Sequence, residues 1–171
     1  MNAAVIHRID FDSISNEIGS IPEALVQKII GGARNSGEEL GLPYAGRVSP
    51  TEAWQLFKSG AAQIVDVRTL EERKYVGHVP NTLHVAWQTG TSMNKNPRFV
   101  REVEAKVGKD AVVLLLCRSG KRSHDAAIAL AAAGFTDVYN IAEGFEGDLN
   151  DRQQRGDLGG WRHWSLPWIQ E

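Results

Sequence analysis

The sequence predicts an α/β fold, a mostly parallel central sheet flanked by helices, with an N-terminal helical extension ahead of it. Three observations carry that expectation. Short apolar runs of strand length alternate with amphipathic segments of roughly ten residues, the pattern of parallel strands joined by crossover helices. Ala111-Val112-Val113-Leu114-Leu115-Leu116 is apolar at every position, as a central strand covered on both faces must be. Repeated Ser/Thr-x-x-Glu signatures mark where helices begin.

Taken in order, Ser20-Ile21-Pro22-Glu23 predicts a capped helix from about Pro22 toward Leu40, with Leu25, Val26, Ile29 and Ile30 on one face. Gly31-Gly32 lies inside it and, at about 1 kcal/mol per interior glycine, predicts a break or kink. Gly41 to Gly46 reads as a linker. Ser49-Pro50-Thr51-Glu52 opens a second helix that ends near Gly60. Ala62 to Val67 is a strand, Thr69 with Glu72 caps a further helical turn, and Thr82 to Ala86 is another strand. Pro97 to Val107 is helical and closed by Gly108; the all-apolar strand follows. An alanine-rich helix from Ser123 to Ala133, stopped by Gly134, leads to a last strand, Val138 to Ile141.

Composition narrows the classes of function. At 171 residues, 42% hydrophobic and 23% charged, the chain is one domain with terminal appendages: an extension and linker over 1–45, the domain over 46–147 and a Trp-rich tail over 148–171 that packs back on the core or offers a docking surface. A net charge of -2 favours neither nucleic acid nor a membrane as partner, and no run approaches a bilayer span, so a cytoplasmic protein is expected. The single cysteine, Cys117, permits no internal disulfide and no cysteine-based zinc cluster, and the five histidines show no metal-ligand spacing. No metal and no organic cofactor is expected.

In parallel sheets functional groups gather at the carboxyl ends of the strands, and the only thiol falls there. Cys117-Arg118-Ser119-Gly120-Lys121-Arg122-Ser123 joins the central strand to the alanine-rich helix. A free cysteine is commonly a small core residue. Three cations within five positions, in a chain of negative net charge, point to chemistry instead. The helix start offers unpaired N–H groups and a positive dipole end, and Gly120 lets the backbone curl so that amides turn inward. Cations, a helix N-terminus and exposure are the conditions that lower a thiol pKa from about 8.5 into a range of roughly 3.5–7.5, so Cys117 is expected as a thiolate nucleophile.

This loop, together with Asp66-Val67-Arg68 and Gly77-His78-Val79-Pro80-Asn81-Thr82, resembles the rhodanese family of sulfurtransferases in its single-domain form, from about Val48 to Gly144. The resemblance implies a rhodanese-like sheet and a catalytic Cys117 that takes the outer sulfur of a donor such as thiosulfate. It holds that sulfur as a persulfide and passes it to cyanide, a thiol or a protein acceptor. It also implies that the loop amides from Arg118 to Ser123 surround the sulfur. Arg118, Lys121 and Arg122 are then expected to draw in the anionic donor, with Ser119, Gly120 and Ser123 completing the binding loop. Asp66 and Arg68 read as scaffold, and Trp87 either as core or as a wall of the pocket. Where many relatives carry Gly-Gly and a tryptophan after the last core strand, this chain has Glu143-Gly144-Phe145, so the pocket rim is expected to differ.

Two other classes compete. Protein-tyrosine-type and dual-specificity phosphatases also set a cysteine in an anion-binding loop, but with an arginine six positions later; here position 123 is Ser and Arg122 comes one residue early. A non-catalytic binding module would have no need of the cysteine, glycine and cations together. Monomer and homodimer are both open.

Overall fold

In a computed structural model that describes residues 21–171, five parallel strands form one sheet in the order β1-β7-β6-β2-β3. They are β1 (Gly46–Val48), β2 (Gln63–Asp66), β3 (Leu83–His84), β6 (Val113–Leu116) and β7 (Val138–Ile141). An antiparallel pair, β4 (Gln88–Thr89) and β5 (Asn94–Lys95), stands apart from it. The helices are α1 (Glu23–Glu39), α2 (Pro50–Lys58), α3 (Leu70–Val76), α4 (Phe99–Lys106) and α5 (Lys121–Ala132). The expected mostly parallel sheet with flanking helices is the architecture observed.

Alternation along β6 explains both layers. Val113, Leu115 and Cys117 point into one apolar cluster with Phe99 and Val103 of α4 and Ala126, Ala127 and Leu130 of α5. Leu114 and Leu116 point into the other, with Val26, Ile29 and Ala33 of α1 and Ala53 and Leu56 of α2. Period-two side chains on a strand with helices on both faces require an apolar residue at every position, and β6 supplies one. Trp161 of the C-terminal segment is fully buried in the second cluster, its indole N–H donating to the Pro167 carbonyl. Among the described residues no helix is long and apolar enough to cross a membrane.

Both internal capping boxes form: Ser49 with Glu52 opens α2, and Thr69 with Glu72 opens α3. The Ser20 cap lies outside the described residues, and Pro22 occupies the N-cap position of α1. Gly31-Gly32 brings no break; α1 is one helix of 17 residues. Its burial of Val26, Ile29, Ala33 and Gly37 outweighs the intrinsic cost of two glycines, because tertiary packing rather than propensity supplies most helical stability. Gly46, expected as the end of a linker, starts β1 and pairs with Tyr139 of β7. A Cβ on Gly46 would strike the Ala33 carbonyl, so the missing side chain is what lets α1 lie against the edge strand.

These two kinds of glycine make opposite predictions. Nothing lies within 4 Å of a Cβ built on Gly31 or Gly32. Replacing both by alanine should raise the urea midpoint, by about 0.5–1 kcal/mol of stability per site. Gly46→Ala should lower it, and a protein unaffected by that change would remove the close-approach explanation.

Candidate active site

The chain leaves β6 at Leu116, places Cys117 at the carboxyl edge of the sheet and turns into α5 at Lys121. Two contacts fasten that turn: the Phe145 amide donates to the Cys117 carbonyl at 2.8 Å and the Glu146 amide to the Arg118 carbonyl at 2.9 Å. Gly120, at φ 95°, is the N-cap residue of α5 and has no side chain to cap it. A Cβ there would collide with the Ala142 carbonyl, so glycine is required on two counts. Freed by this curl, the Gly120 N–H donates to Cys117 Sγ at 3.0 Å. Ser123 Oγ lies 3.1 Å from the same sulfur and 2.6 Å from Asn140 Oδ1. Asn140 in turn donates from Nδ2 to the Gly120 carbonyl at 2.9 Å, closing a ring around the thiol.

Cys117 is only 1% exposed, which corrects the expected exposure: the sulfur sits beneath the loop rather than on it. One backbone amide and one hydroxyl reach it, fewer than the full set of loop amides that the resemblance implies. The three cations divide. Arg118 and Lys121 are exposed, whereas Arg122 makes a bidentate pair with Glu72 at 2.7 and 2.8 Å. Burial works against both members of that pair. Even so, the Glu72 carboxyl is held below its usual range by Arg122 and the Thr69 amide, and the Arg122 guanidinium is pushed up. The phosphatase position, 123, holds a fully buried serine.

Beside this loop Asp66, at the end of β2, is fully buried. It accepts from the Arg68 amide at 3.0 Å, from Arg68 Nη2 at 2.8 Å and from Arg73 Nη1 at 2.9 Å. Burial opposes its charge, yet Arg68 and Arg73 outweigh that and lower its pKa. Arg68 Nη2 also donates to the Gly77 carbonyl, and the guanidinium lies 4.2 Å over the Phe145 ring. Phe145 is thus a fully buried brace. Trp87 is 8% exposed and packs edge-on to Phe99 at 5.0 Å, so of its two readings the core one holds.

On the other side of Gly120 an open cleft of about 560 Å³ is bordered by Tyr44, Arg47, Lys121, His124 and Asn140. The Tyr44 hydroxyl and His124 Nδ1 are 2.6 Å apart. Burial pushes the Tyr44 phenol up, against the Asn140 side chain and the Arg47 charge. The sequence reading missed Asn140, Tyr44 and His124. The available signal was a lone amide in the otherwise apolar Val138-Tyr139-Asn140-Ile141, a strand buried at every position.

A buried thiol met by one amide and one hydroxyl, between the carboxyl edge of a parallel sheet and the start of a helix, is the centre of this site. Residues 49–151 match the Rhodanese-like domain, more than half of the chain, and the chain belongs to that family. It is 37% identical over 126 residues to the protein RP600 of Rickettsia prowazekii, covering 71% of this chain and 94% of that one. A second relative, Thiosulfate sulfurtransferase 16, chloroplastic, of Arabidopsis thaliana, is 36% identical over 100 residues, covering 57% of this chain and 82% of that one. The crystal structure of Rv0390 from M. tuberculosis superposes with a TM-score of 0.67 at 37% identity, covering 75% of this chain and 99% of that one. Family and relatives together support the general sulfurtransferase class.

The carboxylates beside the loop predict an acid limit. Asp66 and Glu72 have depressed folded pKa values, so their stabilisation is complete above the unfolded carboxyl values of about 4 and is lost as pH falls through the lower folded ones. Urea midpoints should hold from about pH 7 to 5 and drop steeply toward pH 3. Asp66→Asn should cost about 3–5 kcal/mol at neutral pH, because it strands two arginines, and should flatten that acid slope. An unchanged slope in the variant would assign the acid limit to other groups.

Proposed function

We propose that this protein moves sulfane sulfur from thiosulfate or a similar small anion to a nucleophilic acceptor, cyanide or a thiol, through a persulfide on Cys117. A protein thiol is a further candidate acceptor, and no metal or cofactor is called for. In the first half-reaction the Cys117 thiolate attacks the outer sulfur of thiosulfate. A sulfur–sulfur bond to Sγ forms, and the donor's bond breaks with its electron pair leaving on sulfite. In the second, the acceptor attacks the outer sulfur of the persulfide and Sγ leaves as thiolate, so that cyanide yields thiocyanate.

The observation that carries this reading is the convergence of the Gly120 amide and the Ser123 hydroxyl on Sγ at the start of α5. Negative charge appears on this sulfur before loading and again on release; the Gly120 amide is already aimed at it and needs no reorganisation, and the Ser123 hydroxyl is within reach. Arg118 and Lys121, both exposed at the loop, supply attraction for an anionic donor. Arg122 supplies less, its charge being matched by Glu72. That pairing, with serine at 123, speaks against phosphoryl transfer, which would want an arginine free to grip the phosphate. A lone thiol stays reduced most readily in the cytoplasm, the compartment we assign.

Incubation with thiosulfate should raise the intact mass by one sulfur atom, with the addition removed by cyanide and absent in Cys117→Ala. No mass gain, or phosphate release from an aryl phosphate that depends on Cys117, would overturn the assignment. Replacing Arg118 and Lys121 by glutamine together should raise KM for thiosulfate about tenfold at low salt, an effect that shrinks as the Debye length falls toward about 3 Å in molar salt. Unchanged kinetics at low salt would mean that these two cations do not handle the donor.

A further inference from the structure

Ser123 has one hydroxyl hydrogen and two acceptors within reach: Cys117 Sγ at 3.1 Å and Asn140 Oδ1 at 2.6 Å. All three side chains are at least nine-tenths buried, at 1%, 0% and 4% exposure for Cys117, Ser123 and Asn140, so solvent cannot make good a missing partner at the sulfur or at the hydroxyl. When the sulfur is a neutral thiol every group is satisfied. The S–H donates to Ser123 Oγ, and the hydroxyl hydrogen goes to Asn140. When the sulfur is a thiolate it has no hydrogen to give and needs one, and the hydroxyl cannot serve both acceptors. Asn140 cannot turn away freely, because its Nδ2 is held by the Gly120 carbonyl.

We infer that Asn140 is a positioning residue that sets the charge state of Cys117 by competing with the sulfur for the Ser123 hydrogen. Its amide oxygen raises the cost of the bare thiolate. In the persulfide the charge moves to the outer sulfur and Sγ carries two covalent bonds, so the hydroxyl returns to Asn140 and the competition is relieved. The residue therefore favours the loaded cysteine over the free thiolate. This extends the sulfur-transfer reading and rests on it for the role of the persulfide, but the competition itself concerns only the resting thiol.

Other charges surround the sulfur. Glu72 of α3 pairs with Arg122 of α5, Asp66 with Arg68 and Arg73 stands at the end of β2, and Arg118 and Lys121 lie at the loop; Tyr44, Arg47, His124, Asp125 and Asp148 lie beyond Asn140. All of them are kept in the variants below, so a shift belongs to the changed positions.

The test is a double-mutant cycle read as the pH dependence of Cys117 alkylation by iodoacetamide on the full chain, with no donor or acceptor present. Asn140→Leu, neutral and close in size, should lower the apparent ionisation pH of the thiol by about 0.5–1 unit, the worth of one hydrogen bond returned to the sulfur. In a Ser123→Ala background the same change should produce less than half that shift. An equal shift in both backgrounds, no shift, or an upward shift in the Ser123 protein overturns the inference. Should Asn140→Leu fail to fold by circular dichroism, Asn140→Asp gives the opposite sign: the ionisation pH rises, and by more with Ser123 present than without it. Equal rises would again overturn it. A correct cycle in a protein that never gains sulfur from thiosulfate would refute the proposed function alone.

Discussion

The carboxyl edge of this sheet depends on one close approach, that of Gly120 to the carbonyl of Ala142. With a side chain there the loop would have to lift from β7. The left-handed turn would then relax, and the amide that meets the sulfur would point elsewhere. The same approach brings Asn140 under the loop, where it holds the Gly120 carbonyl, while Gly144 at φ 65° lets the post-β7 segment pass over the backbone of Arg118. Fold and site are therefore one packing problem: two glycines on neighbouring strand ends create the space that the sulfur's ring of donors occupies.

Around that contact the structure spends charge on rigidity as much as on attraction. Asp66 and Arg68, both fully buried, and the partly buried Arg73 form a cluster whose desolvation is offset in part by hydrogen bonds to side chains, an amide and the Gly77 carbonyl, while Arg68 Nη1 is left without a partner. Glu72 caps α3 with one oxygen and grips Arg122 with both. The N-terminus of α3 is thereby tied to the first turn of α5. Such pairs add little net stability over an apolar core, yet they hold two helix starts in fixed register beside the thiol, which apolar side chains of variable rotamer would do less well.

The elements legible in the sequence are those whose cause is local. Capping boxes at Ser49 and Thr69 and the all-apolar run through β6 announce themselves within a few residues. So do the breaker glycines and the cations around Cys117. What escaped is determined across the chain. The continuity of α1 through Gly31-Gly32 follows from packing against β1, and β1 itself is only three residues long and pairs with a strand about ninety positions away. The short β4-β5 pair carries no alternation long enough to read. In the site, the thiol and its glycine were readable from one heptapeptide, whereas Asn140, Tyr44 and Phe145 reach it from separate segments. The burial of Cys117 also runs against the exposure that its basic neighbours suggest, because Phe145 and Glu146 fold the next segment down onto the loop.

That burial changes how the donors count. In water a single amide and a single hydroxyl would do little for a sulfur anion, since solvent supplies the same hydrogen bonds. In a site whose thiol belongs to the same apolar cluster as Val65, Val67 and Leu115 the effective dielectric is lower, and each fixed dipole weighs several times more. The same low dielectric penalises the anion itself, so the balance between thiol and thiolate falls to very few groups. With Arg122 matched to Glu72 and Arg118 and Lys121 exposed, the groups in direct contact with Sγ are the Gly120 amide, which always donates, and the Ser123 hydroxyl, which has an alternative. A site governed by so few contacts can be shifted by moving one hydrogen atom, and the residue that offers that hydrogen somewhere else to go is Asn140.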